Sequence, residues 1–440
     1  MNSESRGDGK LRIALVGCGT VGSGVIRILR ESTRLLELRT GRTFELRYVV
    51  VRDRSKQRPV SLEGCQVITD VDPILRDSEI DVVIQVMGGI EPARTRMLQF
   101  LAAGKDIITA NKALLHAHGQ ELFEAASRAD KTICFEAAVA GGIPIIATVT
   151  QSLAANRILS IEAILNGTSN FILSRMLDCG QTYEEVLREA QDRGYAEADP
   201  AMDVDGTDAA QKLAILTQLA FGTRVQLTDI VRQGIQNLEL QDLEVAAELG
   251  YRIKLLATSK LAKKKLEISV QPTLVRSDRA IAQTNGADNI VAIEGDAAGL
   301  LRLSGAGAGQ MPTASAVVAD LIDYASGRAA ITFKSLLRMQ SLEQVPLLPQ
   351  EELSRRYYLR MTVADRPHVL ADIADILGRH EISISSVRQD ETPEDEGEEA
   401  VARLVIMTHR TTEGRLRAAD QELSSLSSLK GSCIRLPVSD

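Results

Sequence analysis

Short apolar runs alternating with longer amphipathic stretches set the rhythm of the first third of the chain. Leu11–Val16, Phe44–Val51, Asp81–Val86 and Asp106–Thr109 read as strands, and helical segments, such as the one from Val25 to Leu36, separate them. That alternation predicts a parallel sheet wound with helices on both faces. From Cys134 the pattern changes to a small, apolar, glycine-rich stretch, Phe135 to Pro144, carrying the single acid Glu136. Pro346, Pro349 and the acids around 346–352 read as a linker. Beyond it, the spacing predicts strand Tyr357–Val363, helix Val369–His380, strand Ile382–Gln389, an acidic loop through Glu399, strand Val401–Thr408, helix Thr412–Leu426 and strand Cys433–Leu436. The order β-α-β-β-α-β is ferredoxin-like.

The first strand runs directly into Gly17-Cys18-Gly19-Thr20-Val21-Gly22 and then into a helix. A G-x-G-x-x-G loop in that setting points to dinucleotide binding. Gly17 permits the tight turn, Gly19 lets backbone approach a pyrophosphate, and Gly22 lets helix pack on strand. Thr20 and Val21 of the loop join them as cofactor contacts, ahead of a helix whose free N–H groups favour an anion. The second strand ends in Arg52-Asp53-Arg54-Ser55-Lys56. An acid there suits the ribose of NAD, and an arginine suits the 2′-phosphate of NADP. Bases are in the majority, so the reading favours NADP with Arg52 as the contact and keeps NAD open. The later strands deliver Met87-Gly88-Gly89 and Ala110-Asn111-Lys112 at their carboxyl ends, where open parallel sheets bind ligands.

A second concentration of chemistry is Gly194 to Lys212, with Glu197, Asp199, Asp203, Asp205, Asp208 and Lys212. Alone it is ambiguous. Asp205 reads equally well as the N-cap of a helix with Asp208 in its first turn, and Asp208 and Lys212 as a solvated i,i+4 pair. Upstream, Ile164 to Asn170 reads Ile-Leu-Asn-Gly-Thr-Ser-Asn, groups suited to a small polar ligand.

Composition narrows the field. At 440 residues the chain expects two or three domains. A net charge of −8 argues against nucleic acid or an anionic membrane as partner. Five scattered cysteines without C-x-x-C spacing read as reduced thiols, and the polar start lacks an apolar signal segment, so a cytoplasmic protein is expected. The 394–399 acidic run and Lys263–Lys265 read as solvated turns.

Seven segments in order, GCGTVGSGV, VMGGIEPA, ITANKALL, FEAAVAGGIPII, ILNGTSNFIL, GYAEADPAMDVDGTDAAQKLAIL and GAGAGQMPTASAVVADL, make residues 11–330 resemble homoserine dehydrogenase. The resemblance implies reversible NAD(P)H-dependent reduction of L-aspartate 4-semialdehyde to L-homoserine. It implies Lys212 as general acid and base, Asp208 as the group that orients it, and Lys112 beside nicotinamide and aldehyde. Glu197, with Asp203, would bind the substrate ammonium, and Gly167 and Thr168 join them as substrate contacts. Met87, Gly307 and Gly309 would line the cofactor. Backbone oxygens of Glu136, Val139, Gly141 and Ile143 would hold a monovalent cation, sodium being expected. Family members usually carry an acid where this chain has Gln85. The alternatives kept open are a dehydrogenase of another amino-acid semialdehyde and a catalytically idle amino-acid-sensing scaffold.

The segment Thr362 to Leu370 resembles an ACT domain, a small-molecule sensor, with threonine as the candidate effector. The family pattern Asp-x-Pro-Gly here reads Asp365-Arg366-Pro367-His368, and a glycine at that point would let a carboxylate approach the helix N-terminus. The expected architecture is therefore α/β: a Rossmann doubly wound parallel sheet (10–135), a mixed α/β catalytic and dimerisation domain (136–304), a return segment to the cofactor domain (305–335), a linker (336–354) and a ferredoxin-like ACT domain (355–440). A homo-oligomer, dimer or tetramer, is expected.

Overall fold

Six parallel strands stand in the order Gln66–Ile68, Thr43–Val50, Lys10–Val16, Val82–Gln85, Asp106–Thr109, Ile133–Cys134 in the computed structural model, which describes residues 9–340, 344–391 and 400–439. This is the 3-2-1-4-5-6 order of a dinucleotide-binding fold, with its topological switch beside the first strand. The acidic 394–399 run lies outside the described residues. The chain divides into two compact units: residues 1–159, 211–227 and 289–344 form one, and 160–210, 228–288 and 345–440 the other.

In the first unit, Leu11, Ile13 and Leu15 bury fully against Val25, Ile26 and the apolar face of the Gln310–Ala325 helix, including Ala314, Val317 and Leu321. Close packing of that helix requires Gly24, where a Cβ would lie 2.8 Å from the Ala314 side chain. The helix expected over 25–36 is broken. Thr20–Glu31 and Thr33–Thr40 flank Ser32, and the Thr33 hydroxyl donates back to the Leu29 and Arg30 carbonyls. Such side-chain bonds compete with the helical ladder and favour a break.

In the second unit a hairpin of Tyr251–Ala262 and Lys265–Arg276 turns through Lys263 and Lys264, both at positive φ (48° and 69°), as a two-residue turn of primed type demands. Its far edge pairs in parallel with strand Ile434–Ser439, Leu274 opposite Val438 and Val275 opposite Ser439. The sheet then continues through Ser354–Ala364, Val401–Thr408 and Ile384–Glu391, all antiparallel. Helices Val369–Arg379 and Glu413–Leu423 cover one face around Leu359, Met361, Ile373, Ile376 and Leu416. The described residues of the stretch read as a linker carry regular structure and sheet-type pairing at several points. Helix Arg328–Gln340 occupies its start, and Leu266 pairs with Pro346 and Leu348 through backbone hydrogen bonds of 2.8 and 2.9 Å. No helix among the described residues is long and apolar enough to cross a membrane.

Candidate active site

The nucleotide loop of the first unit assigns different work to its glycines. Gly17 turns at φ +102° and its N–H donates to the Val50 carbonyl at 3.1 Å. A Cβ on Gly22 would lie 2.2 Å from the Gly17 carbonyl oxygen, so only glycine fits. At Gly19 a Cβ would meet nothing within 4 Å, and this open backbone is where a pyrophosphate has room. Thr20 begins the following helix with no side chain capping it and no acid in its first turn, which leaves its N–H groups for an anion. At the end of the second strand the Asp53 carboxylate accepts from the Ser55 N–H (2.7 Å) and hydroxyl (2.6 Å), bonds that lower its pKa. Arg52 is exposed beside it.

Gln85, fully buried, accepts from the Thr109 hydroxyl at 2.7 Å and donates to the Met87 carbonyl at 3.0 Å. An ionised acid could not make that donation. Asn111 donates to the Met87 and Gly89 carbonyls at 3.1 and 2.7 Å and caps the Lys112–Arg128 helix through the Leu114 N–H. Lys112 is thus the first residue of a helix whose start is tied to the Met87 loop. A cavity of about 90 Å³ is lined by Leu115, His116 and Gly119 of that helix and by Ala214, Ile215 and Gln218 of helix Thr207–Phe221. Lys112 and Lys212 each lie about one turn from residues lining it.

The small-residue stretch curls at Ala140 (φ 56°) and Gly141 (φ 52°). A Cβ on Gly141 would lie 2.5 Å from the Gly307 carbonyl oxygen, and the Gly142 N–H donates to Ala306 at 3.0 Å. The return loop that ends in Gly309 (φ 114°) therefore packs directly on this curl. The Glu136 carboxylate is already engaged by the N–H groups of Ile146 (2.8 Å) and Ala147 (2.7 Å), although burial still pushes it up to about 7. Backbone carbonyls are what the Glu136–Ile143 curl has to offer an ion.

In the second unit Asn166 caps helix Gly167–Cys179, its Oδ1 accepting from the Ser169 N–H at 2.8 Å. Its Nδ2 donates to Asp203 at 2.8 Å and to Asp208 at 2.9 Å. The Ser169 hydroxyl holds the Asp203 carbonyl at 2.7 Å, and the Thr168 hydroxyl holds that of Tyr195 at the same distance. Gly167 lies against the Ala287 carbonyl, where a Cβ would come within 2.5 Å. The acids read together in the sequence are thereby sorted. Asp203 and Asp208 share one amide. Asp199 and Asp205 accept from the Ala201 and Thr207 N–H groups in local turns, so Asp205 sits one residue before the cap position expected of it. Glu197 is exposed.

Two buried groups lie outside the site residues named from the sequence, although Asn170 ends the polar Ile164–Asn170 segment noted there. Asn170 donates to the Thr284 and Asp288 carbonyls, both at 3.1 Å. Lys254, 2% exposed, donates to Asn170 (3.1 Å), the Thr284 carbonyl (2.7 Å) and Asn285 (3.2 Å), and burial lowers its pKa to about 8. Their partners are distant in sequence, and a lone apolar-strand lysine carries no motif.

At the C-terminal end, His368 takes a left-handed conformation (φ 75°) at the N-cap of helix Val369–Arg379. A cavity of about 510 Å³ lies beside it, lined by Asp365, Arg366, His368, Leu370, Gln389 and Leu404 among others.

Comparison with known proteins agrees along the whole chain. The NAD-binding domain of homoserine dehydrogenase matches residues 17–136, the homoserine dehydrogenase domain 144–322 and the ACT domain 357–428. The homoserine dehydrogenase of Pseudomonas aeruginosa is 40% identical over 97% of this chain and 98% of its own. A crystal structure of a homoserine dehydrogenase from Thiobacillus denitrificans is 41% identical, covers 98% of both chains and superposes with a TM-score of 0.90. A hyperthermophilic archaeal homoserine dehydrogenase mutant in complex with NADPH is 25% identical over 71% of this chain and 97% of its own, with a TM-score of 0.60. With its dinucleotide-binding sheet, mixed catalytic sheet and ACT domain, the chain belongs to the homoserine dehydrogenase family of NAD(P)-dependent oxidoreductases.

Proposed function

We propose that the chain interconverts L-homoserine and L-aspartate 4-semialdehyde, with Lys212 exchanging the proton at the substrate oxygen. The gathering of Asp203 and Asp208 on one amide, with Lys212 one helical turn beyond Asp208, carries this reading. Asp208 orients the ammonium of Lys212, and Asp203 and Glu197 receive the ammonium of the amino acid. Gly167 and Thr168 complete the substrate wall, and Lys112 attends the carbonyl end. General acid–base help of this kind contributes about 10²–10⁴-fold. The nicotinamide supplies or accepts the hydride when bound, its pyrophosphate held by Gly17, Gly19, Thr20, Val21 and Gly22. Met87, Gly307 and Gly309 line its remaining length.

NADP is the preferred nucleotide. The Asp53 carboxylate already takes two bonds from Ser55, while Arg52 is exposed for a 2′-phosphate. Carbonyl oxygens of Glu136, Val139, Gly141 and Ile143 hold a monovalent cation, sodium, with a structural role. Neutral carbonyls in a buried curl suit such an ion better than a divalent one. The ACT module takes L-threonine in the cavity beside His368 as a feedback effector. The enzyme works in the cytoplasm as a homo-oligomer.

Nucleotide reduction with L-homoserine, followed at 340 nm with NAD and NADP in parallel, tests the reading. Homoserine-dependent turnover that favours NADP and falls in the presence of millimolar L-threonine supports it. Tight nucleotide binding without turnover points instead to a dehydrogenase of another semialdehyde or to a catalytically idle amino-acid-sensing scaffold.

A further inference from the structure

Asn166 is 4% exposed, and chemistry fixes which way its amide faces. The Ser169 N–H requires the oxygen on one side, and the two carboxylates require the NH₂ on the other. Reversing the amide would set a carbonyl oxygen against two anions. The nitrogen therefore gives one hydrogen to Asp203 and one to Asp208, with N···O distances of 2.8 and 2.9 Å, so the spacing of the two carboxylates is that of a single rigid group. Two carboxylates held this near repel each other, more so because Asp208 is 6% exposed, and the shared donor offsets that repulsion. Asp203 is also fixed from behind by the Ser169 hydroxyl on its carbonyl.

We infer that Asn166 is a positioning and specificity-determining residue that sets how long an amino-acid substrate the site accepts. The inference rests on the functional reading above: Asp203 receives the ammonium, and Asp208 aims the lysine that meets the reacting oxygen. One amide then fixes the distance between ammonium recognition and proton transfer. A hydroxy-amino acid with one methylene more places its hydroxyl out of register with Lys212. One methylene is ordinarily worth about 10–200-fold in discrimination.

The test compares NADP-linked oxidation of L-homoserine and L-5-hydroxynorvaline by the unaltered enzyme, Asn166→Ala and Asn166→Ser, with NADPH binding followed by fluorescence. In Asn166→Ala, kcat/KM for homoserine drops about 10²-fold, as for a misplacement near 1 Å. Discrimination against the longer alcohol shrinks by about tenfold or more, and NADPH affinity is unchanged. Asn166→Ser, which keeps a donor and a helix cap, falls between and serves if the alanine variant does not fold. Equal losses on both alcohols, with discrimination intact, overturn the inference in favour of a merely structural role. If the unaltered chain oxidises neither alcohol, the functional reading fails separately. A crystal structure of the variant then decides: Asp203 and Asp208 turned apart sustain Asn166 as their spacer, and unmoved carboxylates reject it.

Discussion

The Arg360 Nε lies 2.7 Å from Asp242 Oδ1, an ion pair whose side chains are 7% and 0% exposed. Arg360 belongs to the first strand of the ACT module and Asp242 to the first turn of helix Leu240–Glu248. Asp242 also accepts from the Tyr358 hydroxyl at 3.0 Å and the Glu239 N–H at 3.0 Å. Removing one partner of such a pair strands a buried charge and costs about 3–5 kcal/mol. Arg360→Ala should lower the urea midpoint accordingly, and Asp242→Leu should lower it too, because it also strands the Tyr358 hydroxyl and the Glu239 N–H. An unchanged midpoint in Arg360→Ala would remove the pair from any account of stability.

Lys212→Ala and Asp208→Asn should separate chemistry from binding. Both should lower kcat, Lys212→Ala by about 10²–10⁴-fold, while the NADPH dissociation constant stays within twofold, about 0.4 kcal/mol. Loss of nucleotide binding in either variant would place these residues in the cofactor site instead.

Gly22 and Gly19 should respond in opposite ways to the same methyl group. Gly22→Ala forces a Cβ onto the Gly17 carbonyl and should lower the melting temperature as well as nucleotide affinity. Gly19→Ala meets no protein atom, so stability should hold while NADPH affinity falls about tenfold, roughly 1.4 kcal/mol. Parallel calorimetric melts and fluorescence titrations decide this. Equal behaviour of the two variants contradicts the division of labour.

Lys254 makes stability rise with pH. Burial lowers its pKa from 10.5 to about 8, against the pull of Asp178, so between those values the unfolded chain binds more protons than the folded one. Across that window the folded state should gain about 3 kcal/mol at most relative to Lys254→Met, at 1.36 kcal/mol per pH unit. Urea unfolding of both chains at pH 7.5 and 10 measures it, and identical pH dependence in the two chains sinks the idea.

His368→Gly should raise stability by about 1 kcal/mol, because a left-handed conformation strains any residue with a Cβ. The change also clears the N-terminus of helix Val369–Arg379. L-Threonine should therefore bind the full-length variant at least as tightly as it binds the unaltered enzyme, measured by calorimetry. Weaker binding would mean that the imidazole itself contacts the ligand.

What is legible in the chain is what is local in it. Gly17, Gly19 and Gly22 carry their meaning within six residues, and the order of ACT elements follows from alternation alone. Asn166 stands in the sequence only as one polar group of Ile164–Asn170, because its two carboxylate partners lie 37 and 42 residues downstream and no spacing rule reaches that far. Spacing marks Asp205 and Asp208 as a helix start, and only the family resemblance sets Glu197 and Asp203 apart from them. Only the fold separates two that cap local turns from two that share an amide. Apolar periodicity continues through Ser32 and predicts one helix across 25–36, while the hydroxyl bonds that break it are invisible to periodicity.

Leu274 and Val275 find a neighbour in Val438 and Ser439, the last described residues of the chain. Removing that short segment would leave the Leu274–Val275 edge of the hairpin with unpaired N–H and C=O groups, a ready template for pairing with another chain.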